Sequence, residues 1–185
     1  MWLQRSTLLS KTSRTKQLTF AAICAALYVV LALFTIPIGM IRISLASLPI
    51  IICAMVYGPK WAFGAGFIGE FLHQLLTYGL TLTTPLWCLA PGLRGLLLGL
   101  VIIKALSLVN YQTFWLYFSS ISVAVFITIL NTGITALDAL IYGYYSYAYV
   151  FASFWIRIIT GIVTSAILTT IAVPISNQII TTGHG

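Results

Sequence analysis

Acidic side chains are almost missing from this 185-residue chain: Glu70 and Asp138 are its two carboxylates, against nine lysines and arginines. Charged residues make up 6% of the sequence, where a soluble domain carries about 25%. So few solvated groups cannot cover an aqueous surface, and an ordinary globular fold is excluded on that ground. Cysteine is also scarce. Cys24, Cys53 and Cys88 lie far apart among apolar neighbours, which supports neither a disulfide framework nor a metal cluster. The only histidines are His73 and His184, so the metalloprotease pattern of two histidines one turn apart is missing. No glycine-rich phosphate loop precedes a lysine and a hydroxyl residue, and GLLLGL is apolar span material. No nucleophile has a recognisable base beside it. The chain is therefore read as non-enzymatic, with no catalytic cofactor and no metal, and any use of ATP must come from another subunit.

Hydrophobic residues fill the gap, at 61% of the chain. An integral membrane protein follows, because apolar side chains can face lipid while helices satisfy their own backbone. A span needs about 20 residues, so six or seven spans use nearly the whole length and leave no room for a separate catalytic domain. The first apolar run is long and lacks a small-residue cleavage site, so it is expected to remain as structure.

A basic arm, residues 1–16, precedes a run from about Leu18 to Pro37. Further runs cover Ile41 to Val56, Trp61 to Tyr78, Leu86 to Leu108, Thr113 to Leu140 and Val150 to Ile175, with a short tail at 177–185. The expected fold is thus an all-α, six-transmembrane-helix bundle over residues 17–176. Arg5, Lys11, Arg14 and Lys16 precede the first span, and Lys60 and Lys104 fall at later breaks. By the positive-inside rule, both termini are cytoplasmic, and the loops at 37–41, 79–85 and 142–149 are external. The positive charge therefore reads as membrane topology and not as nucleic-acid binding. No strong internal repeat is visible, which weighs against a carrier built from paired inverted repeats.

Charge inside hydrocarbon is costly and marks function. Helix counting at about 1.5 Å per residue puts Asp138 and Arg157 in the outer halves of their spans, Arg94 about two turns in, and Glu70 near mid-membrane. These four are candidates to surround one outward-opening cavity, with internal ion pairs as the alternative. Glu70, His73 and Gln74 share a helix face that either meets a ligand or forms a polar seam between helices. Asn131 is placed to bond a ligand or a neighbouring helix. Tyr78, Trp87, Tyr142, Tyr144, Tyr145, Tyr147 and Tyr149 cluster at external ends, where an interfacial belt competes with ligand contact. Tyr78, Trp87 and Tyr145 are kept as pocket candidates. Ala21/Ala25 and Ala22/Ala26 form a small-residue face that lets another helix approach closely.

The segments TKQLTFAAICAALYVVLALF from Thr15, IRISLASLPIIICAMVYGPKWAFGAGFIGEF from Ile41 and WIRIITGIV from Trp155 resemble the substrate-binding S component of an energy-coupling factor (ECF) vitamin transporter, in particular its folate and pantothenate-like branch. The resemblance covers most of the chain and is most specific over Ile41 to Phe71. It implies a six-helix cell-membrane subunit that takes a water-soluble B vitamin from outside. It also implies a membrane coupling subunit, EcfT, two cytoplasmic ATPases, EcfA and EcfA′, and helix-one alanines packed on the coupling subunit. Pantothenate is slightly favoured over folate because one or two arginines suit a carboxylate without an extended ring platform. Cobalamin and a pyridoxine-related compound stay open. The competing readings are a stand-alone small-solute carrier and a structural or assembly membrane subunit.

Overall fold

Ser13 caps the first helix. Its extended backbone lets Oγ accept the Lys16 N–H at 3.4 Å, which caps α1, Arg14–Leu33. Gln17, Ala21, Cys24, Ala25, Tyr28 and Ala32 recur at helical spacing and are buried, whereas Leu18, Ile23, Leu27, Val30 and Leu33 face outward. The computed structural model describes residues 13–38, 41–108, 112–143 and 147–182. After α1 come the antiparallel strands β1, Ile36–Ile38, and β2, Ile41–Ile43, with Pro37 opposite Arg42. The helices α2, Ser47–Tyr57, α3, Pro59–Thr77, α4, Thr84–Leu108, α5, Gln112–Tyr142, α6, Tyr147–Ala152, and α7, Phe154–Thr182, complete the fold.

The six-span expectation is met in part. Among the described residues, four helices are long and apolar enough to cross a membrane: α1, α4 over Thr84–Ile102, α5 over Phe114–Tyr142 and α7 over Phe154–Ile180. The other two runs fall short for different reasons. α2 has 11 residues and reaches about 16 Å, roughly half of a bilayer core, because Ile41–Ile43 pairs as a strand and does not extend the helix. α3 is 19 residues long but carries Lys60, Glu70, His73 and Gln74, which dilute its hydropathy. The first run also ends early, since α1 stops at Leu33 and Ile36–Ile38 is strand. The all-α, membrane-embedded character stands, with this hairpin as its one addition among the described residues.

α2 packs against both α4 and α7, and α5 packs against the same two helices, so the four form a ring. α1 and α3 pack on each other and on α2, outside that ring, and α3 also lies along α4. β2 meets α7. Large apolar side chains on the outside, from Leu18 and Val30 to Phe126, Ile159 and Ile167, form the surface expected to contact lipid.

The α3/α4 seam brings backbone against backbone. A Cβ on Gly66 would lie 2.6 Å from the Pro91 carbonyl oxygen, one on Gly95 2.5 Å from the Ala62 oxygen, and one on Gly99 2.5 Å from Pro59 Cα. Small residues allow this approach where no hydrophobic force holds helices together. Gly58, at φ +87°, makes the turn that feeds Pro59 into the first position of α3. Gly95→Ala is expected to lower stability in detergent by about 1–3 kcal/mol through overpacking. Gly133→Ala, whose Cβ meets nothing within 4 Å, should be neutral or slightly stabilising. Thermal unfolding of the two variants side by side checks this.

Candidate functional site

Because α2 covers only about half of its path, one half of the four-helix ring is left unfilled. A cavity of about 640 Å³ occupies it, within the size range of small-molecule sites. Ser44, Ser47 and Ile51 line one side, Trp87, Arg94 and Leu98 of α4 a second, Asn131 and Thr135 of α5 a third, and Arg157, Gly161 and Thr164 of α7 the fourth. Tyr78, largely exposed, stands at the end of α3 beside the same space. At the end of the cavity away from Trp87 and Tyr78, Ser120 Oγ lies 2.8 Å from Ser165 Oγ and 2.7 Å from Thr169 Oγ1, and Leu168 is fully buried beside them.

Of the residues singled out from the sequence, the structure brings Arg94, Arg157, Asn131, Trp87 and Tyr78 to this cavity. Asp138 stands behind its wall. The indole Nε1–H of Trp87 donates to Asp138 Oδ2 at 2.8 Å, which ties α4 to α5 and fixes the ring at the mouth. Glu70, His73 and Gln74 are not among the cavity-lining residues. They form a seam between α1 and α3, where Glu70 accepts from Tyr28 Oη at 2.6 Å and from Gln74 Nε2 at 2.6 Å, and His73 Nδ1 lies 3.3 Å from Glu70 Oε2. Tyr145 lies outside the described residues. The alanine face splits, since Ala21 and Ala25 are buried within the chain at 6% and 4% exposure and Ala22 and Ala26 face outward.

Neither arginine has an acidic partner. Among the described residues no guanidinium lies within 4 Å of a carboxylate, so the internal ion pairs considered from the sequence do not form. An Arg94 N–H donates to Ser47 Oγ, and an Arg157 N–H to Thr135 Oγ1 at 3.4 Å. Each guanidinium carries five donors, so most of their donor capacity is left for other acceptors.

The cavity hydroxyls were not singled out from the sequence. Thr128 donates to the Ala124 carbonyl at 2.8 Å, Thr135 to Asn131 at 2.8 Å, Thr160 to Ile156 at 2.7 Å and Thr164 to Thr160 at 2.6 Å. Their hydrogens are therefore directed into their own helices, and oxygen lone pairs remain as acceptors. The readable signal was the spacing of Arg157, Thr160, Gly161, Thr164, Ser165 and Leu168, one continuous helix face.

Tyr28→Phe tests the separateness of the Glu70 seam. Removing one donor from the buried carboxylate should cost about 1.5–3 kcal/mol in thermal or denaturant stability, while ligand affinity of the folded variant changes less than about twofold. A large affinity loss at unchanged stability would instead connect the seam to the site.

Comparison with solved structures gives a match to the S component of a bacterial ECF transporter, with a TM-score of 0.67 over 90% of this chain and 99% of that one. At 19% identity this is a likeness of fold. Curated relatives carry the name UPF0397 protein. One from Lactobacillus johnsonii is 40% identical over 88 residues, covering 46% of each chain, and one from Streptococcus agalactiae is 33% identical over 91 residues, covering 48% of this chain and 49% of the relative. The aligned part of the chain thus spans about half the length of these curated relatives. A family model, ECF-type riboflavin transporter, S component, matches residues 12–179.

That match corrects the folate and pantothenate-like assignment. Of the three segments that carried it, those from Thr15 and Ile41 build α1, β2, α2 and most of α3, where only Ser44, Ser47 and Ile51 touch the cavity, whereas WIRIITGIV from Trp155 contributes Arg157, Thr160 and Gly161 to its wall. The helices that line most of the site are α4, α5 and α7, so the leading part of the chain reported the scaffold and not the ligand. By the family model that spans nearly its whole length, the chain belongs to the ECF-type riboflavin transporter S-component family.

Proposed function

We propose that this chain captures riboflavin in the α2/α4/α5/α7 cavity and hands it to a membrane coupling subunit whose partner ATPases drive uptake. The chain is a non-catalytic binding subunit, and no group of three or more metal-ligating side chains occurs among its described residues. The observation that carries the ligand assignment is the make-up of the cavity wall in a chain of this family. Trp87, Tyr78, Ile51, Leu98 and Leu168 offer aromatic and aliphatic surface for a flat ring system. The back-bonded hydroxyls of Thr128, Thr160 and Thr164 offer lone pairs to a polyol, whose O–H groups are donors. Riboflavin combines a flat tricyclic ring with a ribityl chain of hydroxyls.

In the proposed orientation the mouth faces outward. Tyr78 stands beside it, and the Leu82 N–H donates to Tyr142 Oη at 3.0 Å, anchoring the 78–84 segment to the end of α5. Both termini and the Gly58 turn then lie in the cytoplasm, in keeping with the basic residues before α1 and Lys60 at the start of α3. The outward face of α1 bearing Ala22 and Ala26 is free for the coupling subunit, since these two side chains are exposed.

Two measurements test the proposal. Titration of detergent-purified chain with riboflavin should give saturable one-to-one binding with quenched flavin fluorescence, and endogenous flavin should be found by mass spectrometry of the extracted sample. A folded, monodisperse sample that binds no riboflavin overturns the ligand assignment. For orientation, the native cysteines are buried, so a single Leu82→Cys at an 82% exposed site should react with a membrane-impermeant maleimide in intact cells. Reaction only after lysis reverses the topology.

A further inference from the structure

Three polar side chains of the cavity stand at one depth, and their order around it is donor, acceptor, donor. The α4/α5 register is fixed by the Trp87–Asp138 hydrogen bond. Seven residues inward along each antiparallel helix from that contact lie Arg94 and Asn131. The α5/α7 register is fixed where Gly161 meets Thr128. Three residues outward on α5 and four outward on α7 lie Asn131 and Arg157. The three therefore share a level to within about one helical turn, and α5 packs between α4 and α7, so Asn131 falls between the two arginines.

Their hydrogen-bonding needs are complementary to one kind of ligand edge. Arg94 and Arg157 hold unused donors and have no carboxylate within 4 Å. Asn131 Oδ1 is buried and has no donor, a deficit that native interiors rarely leave unmet. Its amide turns about a soft terminal torsion, so a ligand N–H in the cavity can meet it. A phosphate or carboxylate would suit the guanidiniums, but it brings no donor, so the Asn131 oxygen would stay unsatisfied whichever way the amide turns. A ring N–H flanked by two carbonyls satisfies all three.

We infer that Arg94, Asn131 and Arg157 form the docking level for a cyclic imide edge, with the asparagine oxygen accepting the ring N–H and each arginine donating to one flanking carbonyl. This rests on the flavin reading above, since riboflavin carries such an edge on its pyrimidine ring. The imide then faces the polar level, and the ribityl hydroxyls run along the Thr160/Thr164 face.

The test is a binding cycle with riboflavin and 3-methylriboflavin, whose only change replaces the imide N–H by N–CH₃. Wild-type chain should bind the methylated compound about tenfold more weakly or worse. Asn131→Leu, checked for folding by its elution profile and circular dichroism, should weaken riboflavin by a similar factor and show little further discrimination between the two ligands. Arg94→Gln and Arg157→Gln should each weaken riboflavin. Equal wild-type affinity for both compounds overturns the imide assignment and leaves riboflavin as ligand. Riboflavin 5′-phosphate binding more tightly than riboflavin, with the arginine variants losing mainly that preference, overturns it in favour of an anion clamp at this level. A folded wild-type chain that binds no riboflavin overturns the flavin reading and this assignment with it.

Discussion

The length of α2 is the constraint on which the rest of the molecule depends. Eleven residues cover about half of the hydrocarbon thickness, while its neighbours α4, α5 and α7 run much further. A full-length helix in that place would fill the centre of the ring with side chains. The short one stops at Ser47, and the chain leaves through Ser44 and a two-stranded hairpin that pairs its own backbone. Irregular backbone is tolerated at membrane depth only where protein or a cavity meets its polar groups. The cavity and the hairpin are therefore two consequences of one truncation. The same truncation sets the N-terminus of α2 within reach of Arg94, whose guanidinium donates to Ser47 Oγ.

Charge distribution follows a similar economy. A chain with two carboxylates has few ways to neutralise arginines inside a membrane, and here both carboxylates are engaged elsewhere. Glu70 is held by Tyr28 and Gln74 between α1 and α3, and Asp138 by Trp87 between α4 and α5. Each joins a pair of helices, as polar residues commonly do in bundles. Arg94 and Arg157 are left facing the cavity with hydroxyl partners alone. Uncompensated charge in hydrocarbon is costly enough that its persistence at one level points to a ligand and not to packing.

Composition was enough to reveal a membrane-embedded helical protein, since too few charged residues leave no other way to dispose of so much apolar surface. Arg94, Arg157 and Asn131 were legible for the same reason, because each is an expensive side chain deep in an apolar run. The start of the second helix was misplaced at Ile41, where an isoleucine-rich stretch reads equally well as strand or helix and only its pairing with Ile36–Ile38 decides. Glu70, His73 and Gln74 look as functional as Arg94 in one dimension. What separates them is the α1/α3 contact, which brings Tyr28 to Glu70 across 42 positions in the chain. The hydroxyl wall was hidden for a subtler reason, since a threonine bonding its own helix reads as solvated span material until its lone pairs are seen to border a space.

The two halves of the bundle differ in stiffness in a way that suits capture and release. Along α3 and α4, glycine-mediated contacts join backbone to backbone, and side chains have no freedom to adjust there without displacing a helix. Around the cavity the helices pack through side chains, with bonds from Trp87 to Asp138, Arg157 to Thr135 and the Leu82 N–H to Tyr142 at one end and Ser120 to Ser165 and Thr169 at the other. Hydrogen bonds of this kind contribute about 0.5–1.5 kcal/mol each, less than the cost of separating the glycine-mediated backbone contacts between α3 and α4. A ligand bonded to Arg94 on the stiff side and to Asn131 and Arg157 on the other would link the two. On the proposed reading, occupancy of the cavity would alter the surface that a coupling subunit meets, which is how such a subunit would distinguish a loaded chain from an empty one.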